Sequence, residues 1–349
     1  MTQPLPTFAP DWQRALGAVQ GCPIHALTPL RTIGVDGTDV LVKEESARFG
    51  IGSFKALGGV YAVMEAMRAQ HAAASGGEGS SLAALFDDDR RAGNAALTFV
   101  CASAGNHGIA VAAGAALLGA RARVHLSSEV PEDFAQRLRG RGAEVVRSGH
   151  TYEQSLEGAR RDADGNDATL IADTAWEGYV DVPARIMEGY TVIGEELRAA
   201  FERRGSWPSD VYLQAGVGGL AGAVTWVIRH RWAVQPRIVI VEPAAAPCLA
   251  RSQASGRSET VQGPSSTMGR LDCKTASPLA VDALADADVV YLTVSDAAAE
   301  AAVAVLARHD LPTTPSGAAG FAAWQAEREG GATAGDAPLV IISEGALDA

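Results

Sequence analysis

Three short segments of this 349-residue chain hold residue types at spacings that can do chemistry. The first is Ser53-Phe54-Lys55, which heads a stretch with helix-like apolar spacing: Phe54, Leu57, Val60, Tyr61 and Met64. Ser53 is the expected helix N-cap. A lysine in a first helical turn faces the positive end of the helix dipole, and burial would lower its pKa further. A neutral amine is a nucleophile and forms imines. Taken alone, an exposed lysine is the commoner outcome. The second segment is Ser103-Ala104-Gly105-Asn106-His107-Gly108, a polar turn between an apolar run and a small-residue helix. Its backbone N–H groups are suited to an anion such as a carboxylate, and the Asn106 amide offers both a donor and an acceptor. The plain alternative is an ordinary turn with Asn as cap. The third is Gly216-Val217-Gly218-Gly219-Leu220. Glycines admit a phosphate close to the backbone, and a helix starting there adds favourable potential. A simple tight turn would read the same way.

These segments need elements to hold them. Val40–Val42 is a short strand, and the helix from Ser53 runs to about Arg68. Ala73–Asn94, with Gly76-Gly77 and Asp87-Asp88-Asp89, reads as a surface loop or insertion. Apolar runs and helical patterns then alternate. Strands are expected at Leu97–Cys101, Ala122–Leu126, Glu144–Arg147, Leu170-Ile171, Val211–Gln214, Arg237–Val241 and Pro338–Ser343. Helices are expected at Gly108–Gly119, Glu132–Gly140, Tyr152–Ala163, Ala184–Arg203, Leu220–Arg231, Ala297–Arg308 and Gly317–Ala326. This alternation predicts βαβ units and open, mostly parallel α/β sheets, whose ligands bind beyond the strand C-termini. The second and third segments each follow an expected strand.

Composition narrows the possibilities. Hydrophobic residues make up 47% and charged residues 20%, enough for sizeable cores, and the length suits two domains or one large one. The net charge of -12 argues against a nucleic-acid-binding surface. No apolar run is long enough for a membrane helix, and Met1–Pro10 lacks the features of a secretory signal, so a cytoplasmic location is expected. Cys22, Cys101, Cys248 and Cys273 lack CxxC spacing and are expected as free thiols; Cys248 and Cys273 are candidates to meet in space. The missing GxGxxG makes a nicotinamide dehydrogenase a poor reading.

The order and spacing of the three segments resemble the fold-type II (tryptophan synthase β-like) pyridoxal-5′-phosphate (PLP) enzymes. The resemblance implies two open twisted, mostly parallel sheet domains with PLP between them. The large domain would take residues 1–95 plus 201–349, the small one 96–200. PLP would be carried as a Schiff base on Lys55, its phosphate on Gly216, Val217, Gly218, Gly219 and Leu220, and its ring hydroxyl near Asn106. Ser343, in Ile341-Ile342-Ser343-Glu344-Gly345, fits the slot for a hydroxyl facing the pyridine nitrogen, which suits a moderate electron sink. The turn Ser103, Ala104, Gly105, Asn106 and His107 would hold the substrate carboxylate.

Further segments are similar to the diaminopropionate ammonia-lyase subgroup: Lys43-Glu44-Glu45-Ser46-Ala47-Arg48-Phe49-Gly50, Phe54–Gly59, Gly105–Gly108, Asp173-Thr174-Ala175-Trp176-Glu177-Gly178-Tyr179, Val241-Glu242-Pro243 and Thr267–Cys273. This implies α,β-elimination from an L-amino acid, with Lys55 as α-proton base and Asp173 as acid for the leaving amine. Trp176 and Tyr179 would wall the pocket, and His107 would donate or pack. A dehydratase of serine, threonine or 3-hydroxyaspartate, a β-replacement synthase, a racemase and a non-catalytic PLP-binding protein are the alternatives. A homodimer is implied. Three departures stand out. Ala104 replaces the aspartate usual before Gly-Asn-His-Gly, which removes a base for D-substrates. Thr314 occupies a slot often held by Glu. The cation positions beside Glu242 fall on Ala246 and Cys248, so no essential metal is expected.

Overall fold

The computed structural model describes residues 7–76, 81–331 and 335–346. Helix α1 (Trp12–Gln20) precedes strands β1 (Leu30–Val35) and β2 (Thr38–Glu44), then α2 (Lys55–Ala74) and α3 (Asp88–Gly93). Next come β3 (Thr98–Ala102), α4 (Asn106–Leu117), β4 (Arg121–Leu126), α5 (Glu132–Arg139), β5 (Glu144–Arg147), α6 (Tyr152–Gly165), β6 (Thr169–Leu170) and the long α7 (Asp181–Arg204). The remainder is β7 (Asp210–Gln214), α8 (Gly219–Arg231), β8 (Arg237–Pro243), α9 (Cys248–Ser255), α10 (Pro278–Leu284), β9 (Val289–Val294), α11 (Asp296–Ala307), α12 (Pro315–Glu329) and β10 (Pro338–Ile342).

The strands form a six-stranded sheet, β1-β2-β10-β7-β8-β9, and a four-stranded sheet, β5-β4-β3-β6. Every pairing is parallel except β1 with β2. That hairpin turns at Asp36-Gly37, both at positive φ (47° and 80°), the two-residue turn whose twist matches its strands. Strands β3, β7 and β10 are buried at every position because helices cover both faces, which is why they read as unbroken apolar runs. Ser103, the Gly216 loop and Ser343 all lie just past the C-terminal ends of these three strands.

Helix α2 links the two sheets. A Cβ on Gly59 would stand 2.5 Å from the Ala110 Cβ in α4, and one on Gly58 would stand 2.6 Å from the Ile186 carbonyl oxygen in α7. Backbone-close packing on two sides fixes the axis of α2, and so the position of Lys55 at its head.

Two expectations need correction. The stretch from Ala73 is not a bare loop. Residues 77–80 lie outside the described residues, but on either side α2 continues to Ala74, and a 3₁₀ turn at Ala83–Phe86 and α3 follow. Leu85 is fully buried, and the Asn94 amide donates to the Leu118 carbonyl at 2.8 Å. One buried leucine and one amide hook anchor the stretch, signals too sparse to outweigh its polar composition. Ser53 is also not the N-cap of α2. Phe54 takes that place, in helical conformation and with no side-chain cap, because Ser53 is engaged in a bridge with Glu344.

Candidate active site

The head of α2 is held by the end of β10. The Phe54 N–H donates to the Ser343 carbonyl at 3.0 Å, and the Gly345 N–H donates to the Gly52 carbonyl at 3.0 Å. Lys55 and Ser343 are therefore brought together by backbone, whatever their side chains do. The preceding segment contributes support rather than chemistry. Lys43 Nζ lies 2.6 Å from Glu196 Oε2, and the Arg48 guanidinium bonds both Glu45 and Glu196, all in the interior. These buried charges balance one another and tie the end of β2 to α7, as buried ions must be paired.

Lys55 Nζ donates to Asp173 Oδ2 at 2.6 Å, with the two side chains 22% and 17% exposed, so the pair is reachable yet largely desolvated. Burial pulls the Lys55 amine down, but the Asp173 carboxylate, helped by Tyr190 and Cys273, outweighs it and holds the ammonium well above its ordinary value. This reverses the expected lowering, because the resemblance implies Asp173 as an acid of the site but not its direct contact with Lys55 Nζ. The converse holds for Asp173. Burial pushes its carboxyl up, but the Lys55 ammonium outweighs it and pulls it well below the usual carboxylate range.

The loop carrying Asp173 is clipped by two aromatics. Trp176 and Tyr179 exchange backbone hydrogen bonds (3.1 and 2.9 Å), and their rings stack with centroids 4.2 Å apart. The Tyr179 hydroxyl donates to the Leu170 carbonyl at 2.8 Å and accepts from the Ala172 N–H at 3.0 Å. Both residues thus hold the Asp173 loop against the end of β6.

The turn after β3 is held locally, with the Gly105 N–H donating to Ser103 Oγ at 3.2 Å. Ala104 is exposed, and Asn106 opens α4. His107 is buried, and its Nε2 lies 2.7 Å from the Ile171 carbonyl. A carbonyl only accepts, so Nε2 carries the proton and the bare Nδ1 is left without a partner among the described residues. Burial, the largest influence, lowers the His107 pKa and keeps the ring neutral.

Three residues join the site that sequence reasoning did not assign to it. Glu344 is buried and its carboxylate accepts from the Asn106 amide and the Thr314 hydroxyl. A carboxylate therefore does stand beside the Thr314 slot, supplied by the next residue after Ser343. Arg270 reaches across the turn, its Nη1 donating to the Ala104 carbonyl at 3.1 Å and its Nε 4.0 Å from Glu344 Oε2. Tyr190, on α7, lies under Lys55 with its ring 4.9 Å from that of Phe54, and burial pushes its hydroxyl up to about 12. Glu344 and Arg270 sit inside quoted motif segments and were legible as neighbours; Tyr190 had no signal, being one aromatic on a buried helix.

The glycine loop follows β7 and leads into α8, so the first N–H groups of that helix have no partner within it. Gly218 has φ +99°, and a Cβ there would meet the Ala280 Cβ at 2.7 Å; a Cβ on Gly216 would meet Cys273 Sγ at 3.0 Å. Only glycine fits such a cradle. Cys248 Sγ lies 3.6 Å from the Gly216 carbonyl, so the two thiols flank the same glycine, each a free cysteine. Glu242, in the last residues of β8, accepts from the Leu249 and Ala250 N–H groups at 2.7 and 2.9 Å, and burial pushes it up to about 7. Among the described residues no group of three or more His, Cys, Asp or Glu is placed to hold a metal ion.

A lysine amine in a desolvated site, a side-chain-free helix N-terminus for a phosphate, an amide beside it and a neutral hydroxyl at a strand end match the chemistry of PLP: aldehyde, phosphate, ring oxygen and pyridine nitrogen. The sequence matches the family described as pyridoxal-phosphate dependent enzyme over residues 17–345, and the chain belongs to that family. PLP is its cofactor. Among its relatives is diaminopropionate ammonia-lyase of Escherichia coli (strain K12), 30% identical over 302 residues, 86% of this chain and 74% of the relative. The crystal structure of the Escherichia coli diaminopropionate ammonia-lyase in complex with an aminoacrylate-PLP azomethine reaction intermediate superposes with a TM-score of 0.82 at 26% identity, covering 98% of this chain and 91% of the other. A crystal structure of a threonine deaminase superposes with a TM-score of 0.78 at 25% identity over 99% of both chains.

Proposed function

We propose that this chain is a PLP-dependent ammonia-lyase acting by α,β-elimination on an L-amino acid with a β-amine, 2,3-diaminopropionate or a close analogue, to give a 2-oxo acid such as pyruvate. The observation that carries the reading is the contact between Lys55 and Asp173, a base and an acid joined at 2.6 Å beside a turn suited to a carboxylate. The ammonia-lyase relatives support the substrate class.

Bound at Lys55, PLP supplies an electron sink that acidifies the substrate α-carbon. The first N–H groups of α8 and the Gly216–Leu220 loop would hold its phosphate, and the Ser343 hydroxyl would serve its ring nitrogen without adding a charge. The N–H groups of the Ser103–His107 turn orient the substrate carboxylate. Released from the cofactor by the incoming substrate amine, neutral Lys55 would take the α-proton at Nζ. The same proton passes through the 2.6 Å contact to Asp173 and on to the departing β-nitrogen. Asp173 suits this relay because its low pKa depends on the Lys55 charge. Once Lys55 is neutral, that pull is removed and burial acts to raise the carboxyl. One water completes the balance, and both nitrogens of 2,3-diaminopropionate leave as ammonia with pyruvate.

A second reading, dehydration of a β-hydroxy amino acid, is favoured by the threonine deaminase likeness. Serine and threonine in the same keto-acid assay distinguish it. The two sheets also support a two-domain division, with boundaries approximately at residues 1–95 with 201–349 and 96–200. A homodimer is proposed on the family resemblance alone, and a cytoplasmic location on the sequence expectation alone.

Ala104 offers only a methyl where a second base would stand, so Lys55 is left to remove the α-proton. Keto-acid release from the L-isomer of 2,3-diaminopropionate should exceed that from the D-isomer by about 10²-fold or more, the usual contribution of a positioned base. Equal rates for the two isomers would refute Lys55 as the sole base.

A further inference from the structure

Arg270 has no part in the reading above, yet it lies on the turn that receives the substrate carboxylate. Its backbone bridges two walls of the site. The Arg270 N–H donates to Ser316 Oγ at 3.1 Å, and its carbonyl stands 3.2 Å from where a Cβ of Gly216 would be. From there the side chain crosses to the turn. A Cβ on Gly105 would find Arg270 Cδ at 3.2 Å, with Cζ and Nε at 3.3 Å. The absence of that Cβ is what lets the guanidinium pack this close to the backbone. Nη1 donates to the Ala104 carbonyl at 3.1 Å, which sets the plane of the fork. Glu344 stands 4.0 Å from Nε, beyond hydrogen-bond reach, and its oxygens already accept from Asn106 and Thr314. The guanidinium therefore keeps donors to offer, and the side chain is 31% exposed.

Charge leads the same way. Lys55 and Asp173 neutralise each other, and the Asn106 amide is directed to Glu344. An amino acid arrives with a carboxylate that the turn meets through backbone dipoles. Arg270 adds a permanent cation in contact with that turn, countered only at 4.0 Å by Glu344, in the planar geometry that takes a carboxylate through two parallel hydrogen bonds. We propose that Arg270 is a specificity-determining residue that binds the α-carboxylate of the substrate together with the Ser103–His107 turn. The proposal rests on the ammonia-lyase reading for the identity of the turn's ligand.

The test uses the PLP-loaded enzyme and two amino compounds that lack a leaving group, L-alanine and L-alaninamide, titrated by the change in cofactor absorbance. They differ only in the carboxylate. The wild type should bind L-alanine roughly 10- to 100-fold more tightly than the amide, the range for a hydrogen bond to a charged group. Arg270→Gln should lose most of that preference, and Arg270→Lys should keep part of it. With the true substrate, Arg270→Gln should raise KM by a similar factor and change kcat by less than about threefold, the pattern of lost uniform binding. A merely structural role would not move the ratio of acid to amide. An unchanged ratio in Arg270→Gln overturns the proposal, and so does weakened binding of L-aspartate with L-alanine unaffected, which would assign the guanidinium to a side-chain acid. A wild type whose absorbance answers to no amino acid would sink the ammonia-lyase reading itself, and the role of Arg270 with it.

Discussion

Lys55→Ala should abolish the visible absorbance of the lysine-bound cofactor and lower elimination by at least about 10³-fold, within the range for removing a positioned proton-transfer group. The size follows from two roles falling on one atom. Nζ anchors the cofactor, and the same Nζ is the base for the α-proton, since Ala104 supplies none. The fold should tolerate the change. Lys55 is at the helix start, and the Phe54 and Gly345 backbone bonds to the end of β10 do not involve its side chain. Absorbance spectra of the variant with added PLP, alongside circular dichroism, check both statements. A variant that retains the wild-type band would place the cofactor on another residue.

Asp173→Asn should separate cofactor attachment from turnover. In the cofactor-free protein Asp173 holds the Lys55 amine above its ordinary value of 10.5, and Lys55 holds Asp173 below its ordinary 3.8. The linkage has a definite sign. The Asp173 contribution to stability is present above 3.8 and is lost as pH falls through its depressed folded value. The Lys55 contribution is present below 10.5 and is lost as pH rises through its raised folded value. Across the neutral range the pair is therefore intact, and Lys55 is a poor nucleophile until it gives up its proton. With asparagine the largest Coulombic support is gone, burial is opposed only by the smaller influences of Tyr190 and Cys273, and the amine pKa falls relative to the wild type. The variant should then attach PLP at lower pH than the wild type. Its elimination rate should still fall by about 10²- to 10⁴-fold, for want of the group that passes a proton to the departing nitrogen. The pH dependence of PLP attachment, followed by absorbance in both proteins, is the measurement. An unshifted profile in Asp173→Asn would mean the ion pair does not control the lysine.

Much of this site could be read beforehand because its parts are local. Ser53-Phe54-Lys55, the Ser103–Gly108 turn and the Gly216–Leu220 loop are contiguous segments at element boundaries, and periodicity locates such boundaries well. The central strands were equally plain, since covered parallel strands leave unbroken apolar runs. The losses were of two kinds. Elements with weak patterns went unread: α1, α9 and α10 are short helices, and β1 and β9 at the sheet edges are only partly buried, so their apolar alternation is diluted. Contacts across long sequence separations were also invisible. The Asp173 charge beside Lys55, the Glu344 carboxylate on Asn106 and Thr314, and the Arg270 guanidinium on Gly105 depend on how two sheets meet. No spacing rule encodes that, and it reversed the expected direction of the Lys55 pKa.

The central claim is best tested by supplying the PLP-loaded enzyme with L-2,3-diaminopropionate and measuring keto acid and ammonia together. The account predicts that pyruvate forms and that both substrate nitrogens appear as ammonia for each pyruvate released. Bound cofactor with no keto acid, or keto acid with only one of the two nitrogens released, would contradict it.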